Sequence, residues 1–192
     1  AHYWRGAKRC KINGVPQTRV SDVLGHINVV FFSPEDIDLV KGGAAGRRRF
    51  LDMELSQICP AYLHALQQYR QALRQRNEVL RRGVSDADLL AVWDAQLIEH
   101  RAMLIETRRQ YVADLAALAA CAYANIAAAE DMEVVYCPDV RAGGDLARAL
   151  EKSRESDIRR GQTNRGPHRD DLDLSVAGTP ARNFGSQGQQ KT

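Results

Sequence analysis

The residues best suited to chemistry stand at the far end of the chain, in Phe184-Gly185-Ser186-Gln187-Gly188-Gln189-Gln190-Lys191-Thr192. A short polar run with glycines suits a loop that turns into a helix. Ser186 can accept a hydrogen bond from a first-turn amide, and Gln189 can reach back to the Ser186 amide, which makes a capping box. A helix start of this kind gathers unpaired N–H groups and a partial positive charge, and so offers a seat for phosphate. The same residues also suit an ordinary surface turn with a capped helix.

Two further blocks carry reactive side chains. In Gly166-Pro167-His168-Arg169-Asp170-Asp171-Leu172, a histidine stands beside two carboxylates, the raw material of a metal or acid–base site. Consecutive residues of a strand point to opposite faces, however, so no metal centre is expected there, and the Gly-Pro pair predicts a tight entry turn. Arg47, Arg48 and Arg49 begin a helix and fan around it, so at most two of them serve one surface. They suit contacts to a DNA backbone, which give affinity without sequence choice. They suit equally a solvated helix start with intrahelical partners such as Asp52. The pairs Arg81-Arg82, Arg108-Arg109 and Arg159-Arg160 read as solvated faces. Cys10, Cys59, Cys121 and Cys137 form no C-x-x-C pair, which argues against zinc and against a disulfide framework.

Together with Val30-Phe31-Phe32-Ser33-Pro34-Glu35-Asp36 and Arg47-Arg48-Arg49-Phe50-Leu51-Asp52, these blocks closely resemble the RecF family of bacterial DNA-repair proteins. Those are ABC-type ATPases related to the structural-maintenance-of-chromosomes proteins, and the likeness runs from about Lys11 to Thr192. The resemblance implies an α/β ATPase head carrying an inserted helical arm. It implies that Ser186, Gln187, Gly188 and Gln189 form the signature motif, which meets the γ-phosphate of ATP held by the opposite subunit of a homodimer. It gives His168 and its neighbours a structural or nucleotide-proximal role, with Arg169 the residue to meet phosphate. Related ATPases place a glutamine that senses the γ-phosphate and Mg2+ near Ser33. No glutamine stands there, Gln17 is far upstream, and Ser33 and Glu35 both remain open for that role. The expected work is ATP-dependent clamping of DNA at single-strand gaps, with RecO and RecR type proteins, to help load recombinase.

No G-x-x-x-x-G-K-[ST] run occurs in the sequence, and no apolar strand ending in paired acids. The chain therefore reads as an internal piece of an ABC-type ATPase, inactive in hydrolysis by itself. The rival readings are a helical protein-interaction module without nucleotide dependence, and a metal-dependent hydrolase built on His168. Of 192 residues, 44% are hydrophobic, and 27 basic residues nearly balance 24 acidic ones, so charge permits nucleic acid without specifying it. No secretory signal and no 18-residue apolar run are visible, so no membrane contact and a cytoplasmic location are the default.

These side chains need elements to hold them. Residues 1–46 read as a lobe of the head. Arg9–Ile12 and Val15 predict a hairpin through Asn13-Gly14. Ile27–Phe32 predicts a buried strand, and Ser33-Pro34-Glu35-Asp36 a short helix closed by Gly42-Gly43. Residues 47–130 read as a helical arm. A helix over 45–58 is broken by Pro60. A longer one carries Tyr62, Leu66, Tyr69, Leu73 and Leu80 and stops at Gly83, with Ser85 and Asp88 capping the next. That helix carries Leu90, Trp93, Leu97, His100, Leu104, Tyr111, Leu115 and Leu118, and the two should pack antiparallel. Residues 131–192 read as a return to the head. Strands are predicted at Met132–Cys137 and Leu172–Val176, with a charged helix between them that ends near Gly161 and a turn at Gly178-Thr179-Pro180.

Overall fold

A computed structural model describes residues 2–4, 7–18, 25–83, 87–127, 130–141 and 144–183. Its first elements are strands β1 (His2–Trp4), β2 (Ala7–Ile12) and β3 (Val15–Gln17), which pair antiparallel in that order. Asn13 and Gly14 both take positive φ, 49° and 84°, so the expected two-residue hairpin turn forms between β2 and β3. The segment at Ile27–Phe32 differs from expectation: it is not a strand. Val29, Val30, Phe31 and Phe32 are 58–88% exposed, and the Val29 N–H and carbonyl bond the Gln57 side-chain amide. A high β propensity forms no ladder without a neighbouring strand to complete it.

Ser33 then opens a 3-10 turn, Pro34–Ile37, where the Ser33 N–H donates to Asp36 Oδ2 at 2.7 Å. It leads into α1 (Asp38–Lys41), which Gly42 ends. The helical part follows as α2 (Ala44–Ile58), α3 (Pro60–Arg81) and α4 (Ala87–Ala124). Pro60 sits in the first turn of α3, where its missing N–H costs nothing, and Gly83 (φ 68°) closes the turn after it. Arg76 of α3 bonds Asp94 of α4, and Tyr62 bonds Arg108, so the late part of one helix meets the early part of the other. The hairpin is therefore antiparallel, as the two stripes require.

Strand β4 (Met132–Cys137) pairs antiparallel with β5 (Asp171–Val176), and β5 with the short β6 (Thr179–Pro180). The expected turn at Gly178 thus runs straight into a third strand. Between β4 and β5 lies α5 (Leu146–Arg160). Asp145 caps its start by accepting from the Arg148 N–H, and Gly161 (φ 64°) ends it. Among the described residues the strands form two separate three-stranded sheets, one before the helices and one after.

Three apolar clusters hold these elements. Leu55, Tyr62, Leu66, Tyr69, Leu97, Leu104, Leu146 and Leu150 join α2, α3, α4 and α5. Leu51 and Val112 press α2 and α4 onto Val134 and Leu172 of the second sheet. Tyr123, Val176 and Ala181 close its far end. The stripe on α4 was overextended by one position, because Leu118 is 70% exposed. No helix among the described residues is long and apolar enough to cross a membrane.

Candidate functional site around the Gly166–Asp171 turn

The expected tight turn forms: Pro167–Arg169 is a 3-10 turn between α5 and β5, entered by Gly166 at φ 126°. Only glycine suits that position, since a Cβ there would lie 2.6 Å from Tyr69 Oη. The turn is held by α2, α3 and α4 from below. Tyr69 Oη lies 2.8 Å from His168 Nδ1, and His168 Nε2 lies 3.0 Å from the Thr163 carbonyl. A carbonyl only accepts, so Nε2 carries the proton and Nδ1 accepts from the Tyr69 hydroxyl. Burial is the main reason that His168 is pushed down to about pKa 4; it stands neutral near pH 7. Burial likewise raises the Tyr69 phenol well above its ordinary value. Both ring nitrogens of His168 are engaged within the chain, and Asp170 and Asp171 face other partners, so the three side chains do not converge on one ion.

Arg108 is the centre of the support. It is 2% exposed, although the sequence reads it as half of a solvated pair. Its Nε donates to Tyr62 Oη at 2.9 Å, and its Nη2 to Asp52 Oδ1 at 2.8 Å. Its Nη1 donates to the Pro167 carbonyl and to Asp170 Oδ2, each at 2.8 Å. Burial opposes its charge, but Tyr62, Asp52 and Tyr136 outweigh it and hold the guanidinium well above its ordinary pKa. Asp52 also accepts from Tyr62 (2.5 Å) and Arg70 (2.6 Å). Asp170 also accepts from the Tyr136 hydroxyl and the Asp139 N–H (2.9 Å). Burial raises its carboxyl, and those donors only partly offset that.

A second buried arginine works one face away. Arg76, fully buried, donates to Asp94 (2.6 Å), Asp157 (2.8 Å) and Thr163 Oγ1 (2.9 Å). Thr163 in turn donates its N–H and hydroxyl to Asn77 Oδ1, each at 2.7 Å. The segment before the turn is thereby fixed to α3, α4 and α5. Neither arginine was found as a site from sequence. The signal was available: Arg76 continues the Tyr69–Leu73–Leu80 stripe, and Arg108 falls between Leu104 and Tyr111. A charged residue at a core step implies a buried partner.

The three helix-start arginines separate sharply. Arg47 is 6% exposed. It clasps Asp171 through Nε and Nη2 (2.7 and 3.0 Å) and caps the Leu39 and Gly42 carbonyls with Nη1. The hydrogen bond to Asp171 raises its pKa. Burial alone would raise Asp171, but Arg47 and the Leu172 N–H bring its carboxyl below the usual value. Arg47 is thus neither on a solvated helix start nor free for DNA, a correction to both sequence readings. Arg48 makes one bond, to the Asp170 carbonyl at 2.7 Å, and Arg49 carries none among the described residues. Arg169 is exposed and makes only long contacts to Thr163 O (3.3 Å) and Asn164 Oδ1 (3.4 Å). Arg82, Arg109 and Arg159 do lie in the solvent, paired with Glu78, Glu106 and Glu155.

Ser33 and Glu35 sit one short helix from this turn, joined to it through Arg47. Glu35 is exposed, its carboxyl lowered by its own backbone N–H and by Ser33. Ser186, Gln187, Gly188 and Gln189 lie outside the described residues.

No family model matches the chain. Curated relatives do. It is 40% identical to the DNA replication and repair protein RecF of Shouchella clausii, over 96% of this chain and 54% of that protein. It is 43% identical to that of Lachnoclostridium phytofermentans, over 96% of this chain and 52% of that protein. Its backbone matches a solved structure of the recombination mediator protein RecF with ATP, in the RecFOR pathway. That match has a TM-score of 0.89 and 32% identity, covering 97% of this chain and 53% of that one. The chain spans about half the length of the curated relatives it matches. Its helix-rich architecture with small antiparallel sheets is that of part of the RecF ATPase head. With the sequence blocks, the turn and the backbone all in agreement, the chain belongs to the RecF family.

Proposed function

We propose that this chain is the arm-bearing part of the head of a DNA repair and replication ATPase of RecF type. ATP and Mg2+ drive the whole protein into a homodimer that holds DNA at single-strand gaps. RecR and RecO type proteins act with it there to load recombinase. The observation that supports this reading best is the agreement of the backbone with ATP-bound RecF over 97% of the chain.

The residues here fit one side of a nucleotide only. The sequence holds no loop to cradle α and β phosphates, so this chain's part is confined to the γ-phosphate side. Ser186, Gln187, Gly188 and Gln189 supply a hydroxyl and successive amides, donors of the kind that stabilise charge on a transferring phosphoryl group. The buried arginines explain how an arm and a signature segment can act together. Arg108 and Tyr69 fix α3 and α4 to the Pro167–Arg169 turn, and that turn leads through β5 towards residue 186.

The test is a chimaera in which this chain replaces the matching stretch of the Lachnoclostridium phytofermentans protein. Ser186→Arg should abolish ATP-dependent dimerisation in analytical ultracentrifugation while nucleotide binding by the monomer persists. Loss of both together, or of neither, would remove the role in trans.

A further inference from the structure

A recess of about 190 Å3 opens between α2, α3 and the Pro167–Arg169 turn. Its walls include Arg48, Arg49, Arg70 and His168, with Leu66 and Leu73 beneath. Asp52 also lines it, but its charge is already met by Arg108 and Arg70, and it accepts from Tyr62 as well. His168 is neutral. Positive charge is therefore left over. Arg48 spends one N–H on the Asp170 carbonyl, and Arg49 spends none among the described residues.

We infer that this recess binds a single phosphate group of a nucleic-acid backbone through Arg48 and Arg49. The inference rests on the DNA-binding reading above and gives it a place. At roughly 30 Å3 per water, the space holds about six waters, enough for one phosphate and its shell. Arginine's planar fork matches phosphate oxygens two at a time. Burial is the main cause that lowers the Arg48 pKa; Asp171 and Asp170 raise it, Arg108 and Arg169 lower it, and a bound anion would favour the charged guanidinium. Tyr69, the tyrosine of the wall, is only 1% exposed and offers a base no stacking face. Recognition stops at the phosphate, so it carries no sequence preference. Arg70 adds long-range attraction from the rim, since one of its amines already serves Asp52.

The test uses the full 192-residue chain. Fluorescence anisotropy with a labelled duplex gives the salt dependence of binding, and a titration with orthophosphate followed by 1H–15N spectra reports on His168 and Arg48 directly. Arg49→Gln removes no hydrogen bond or ion pair among the described residues, so it should keep the fold, and Arg48→Gln is added to it. The double variant should lower the salt slope by about 0.9, the share of one phosphate, and should lose the orthophosphate-induced shifts. Arg82→Gln, at the exposed residue just after α3, should leave both unchanged. An unchanged slope together with unchanged phosphate shifts in the double variant overturns the seat. Orthophosphate shifts without any duplex binding by the parent chain overturn the nucleic-acid reading and keep the anion seat. Displacement of orthophosphate by ATP but not by duplex assigns the seat to a nucleotide, and overturns a backbone phosphate as its occupant.

Discussion

Two buried arginines stand in opposite halves of the helical hairpin, and they are not equivalent. Arg108 and Arg76 each hold two aspartates, and in each case an outer arginine (Arg70 or Arg154) shares one of them. The Arg108 cluster adds two tyrosines and a main-chain carbonyl of the turn, and all three of its nitrogens have acceptors. The Arg76 cluster leaves two nitrogens, Arg76 Nη2 and Nε of the outer Arg154, without an acceptor among the described residues. The first is a satisfied network that grips the turn itself. The second grips the approach to it and carries a desolvation cost in doing so.

That contrast predicts unequal losses. Arg108→Met takes the buried guanidinium away from two carboxylates and the Pro167 carbonyl, and should cost about 5 kcal/mol of unfolding free energy. Arg76→Met also takes a buried guanidinium away from two carboxylates, but it removes the orphaned nitrogen, whose burial itself costs about 2 kcal/mol. It should therefore cost about 3 kcal/mol. Urea denaturation of both variants checks this, and equal losses would mean that the orphaned nitrogen carries no penalty.

Much of the scaffold was legible, and the exceptions share a cause. The stripes Tyr62–Leu66–Tyr69–Leu73–Leu80 and Leu90–Leu97–Leu104 specify α3 and α4 because burial follows helical period. Asn13-Gly14, Gly83 and Gly161 mark turns because few residues tolerate positive φ. Arg47 was misread because its partner Asp171 lies 124 residues away. Asp52 was offered as an intrahelical partner for Arg47, Arg48 and Arg49, yet it serves Tyr62, Arg70 and Arg108. Ile27–Phe32 failed for the same reason, since a strand is defined by what lies beside it. Local patterning encodes elements; ion-pair choice and sheet membership are settled by distant chain.

The turn itself offers a smaller and pH-dependent test of the comparison. His168 titrates near 4 in the fold and near 6.5 in the unfolded chain. The unfolded state therefore binds more protons between those values, and stability rises with pH across that window. From pH 7 down to pH 5 this group should withdraw about 2 kcal/mol. His168→Gln, which keeps a neutral hydrogen-bonding side chain, should flatten that part of the profile. The Arg76 cluster has no histidine, so Arg76→Met should keep the slope. A slope retained in His168→Gln would assign the acid sensitivity elsewhere.

The smallest effect sharpens the comparison from outside. Arg82 pairs with Glu78 at 3.0 Å on the same helix as Arg76, with its side chain 70% exposed. In high dielectric such a pair gains little over the entropy of holding two long side chains together. Arg82→Ala should cost no more than about 0.5 kcal/mol in urea, and what it costs should disappear in molar salt. Arg76→Met should keep nearly its whole penalty in the same salt, because ions do not reach a fully buried guanidinium. If salt erased both penalties alike, the Arg76 cluster would be solvated in solution. The distinction between arginines that build this fold and arginines that face its surroundings would then have to be redrawn.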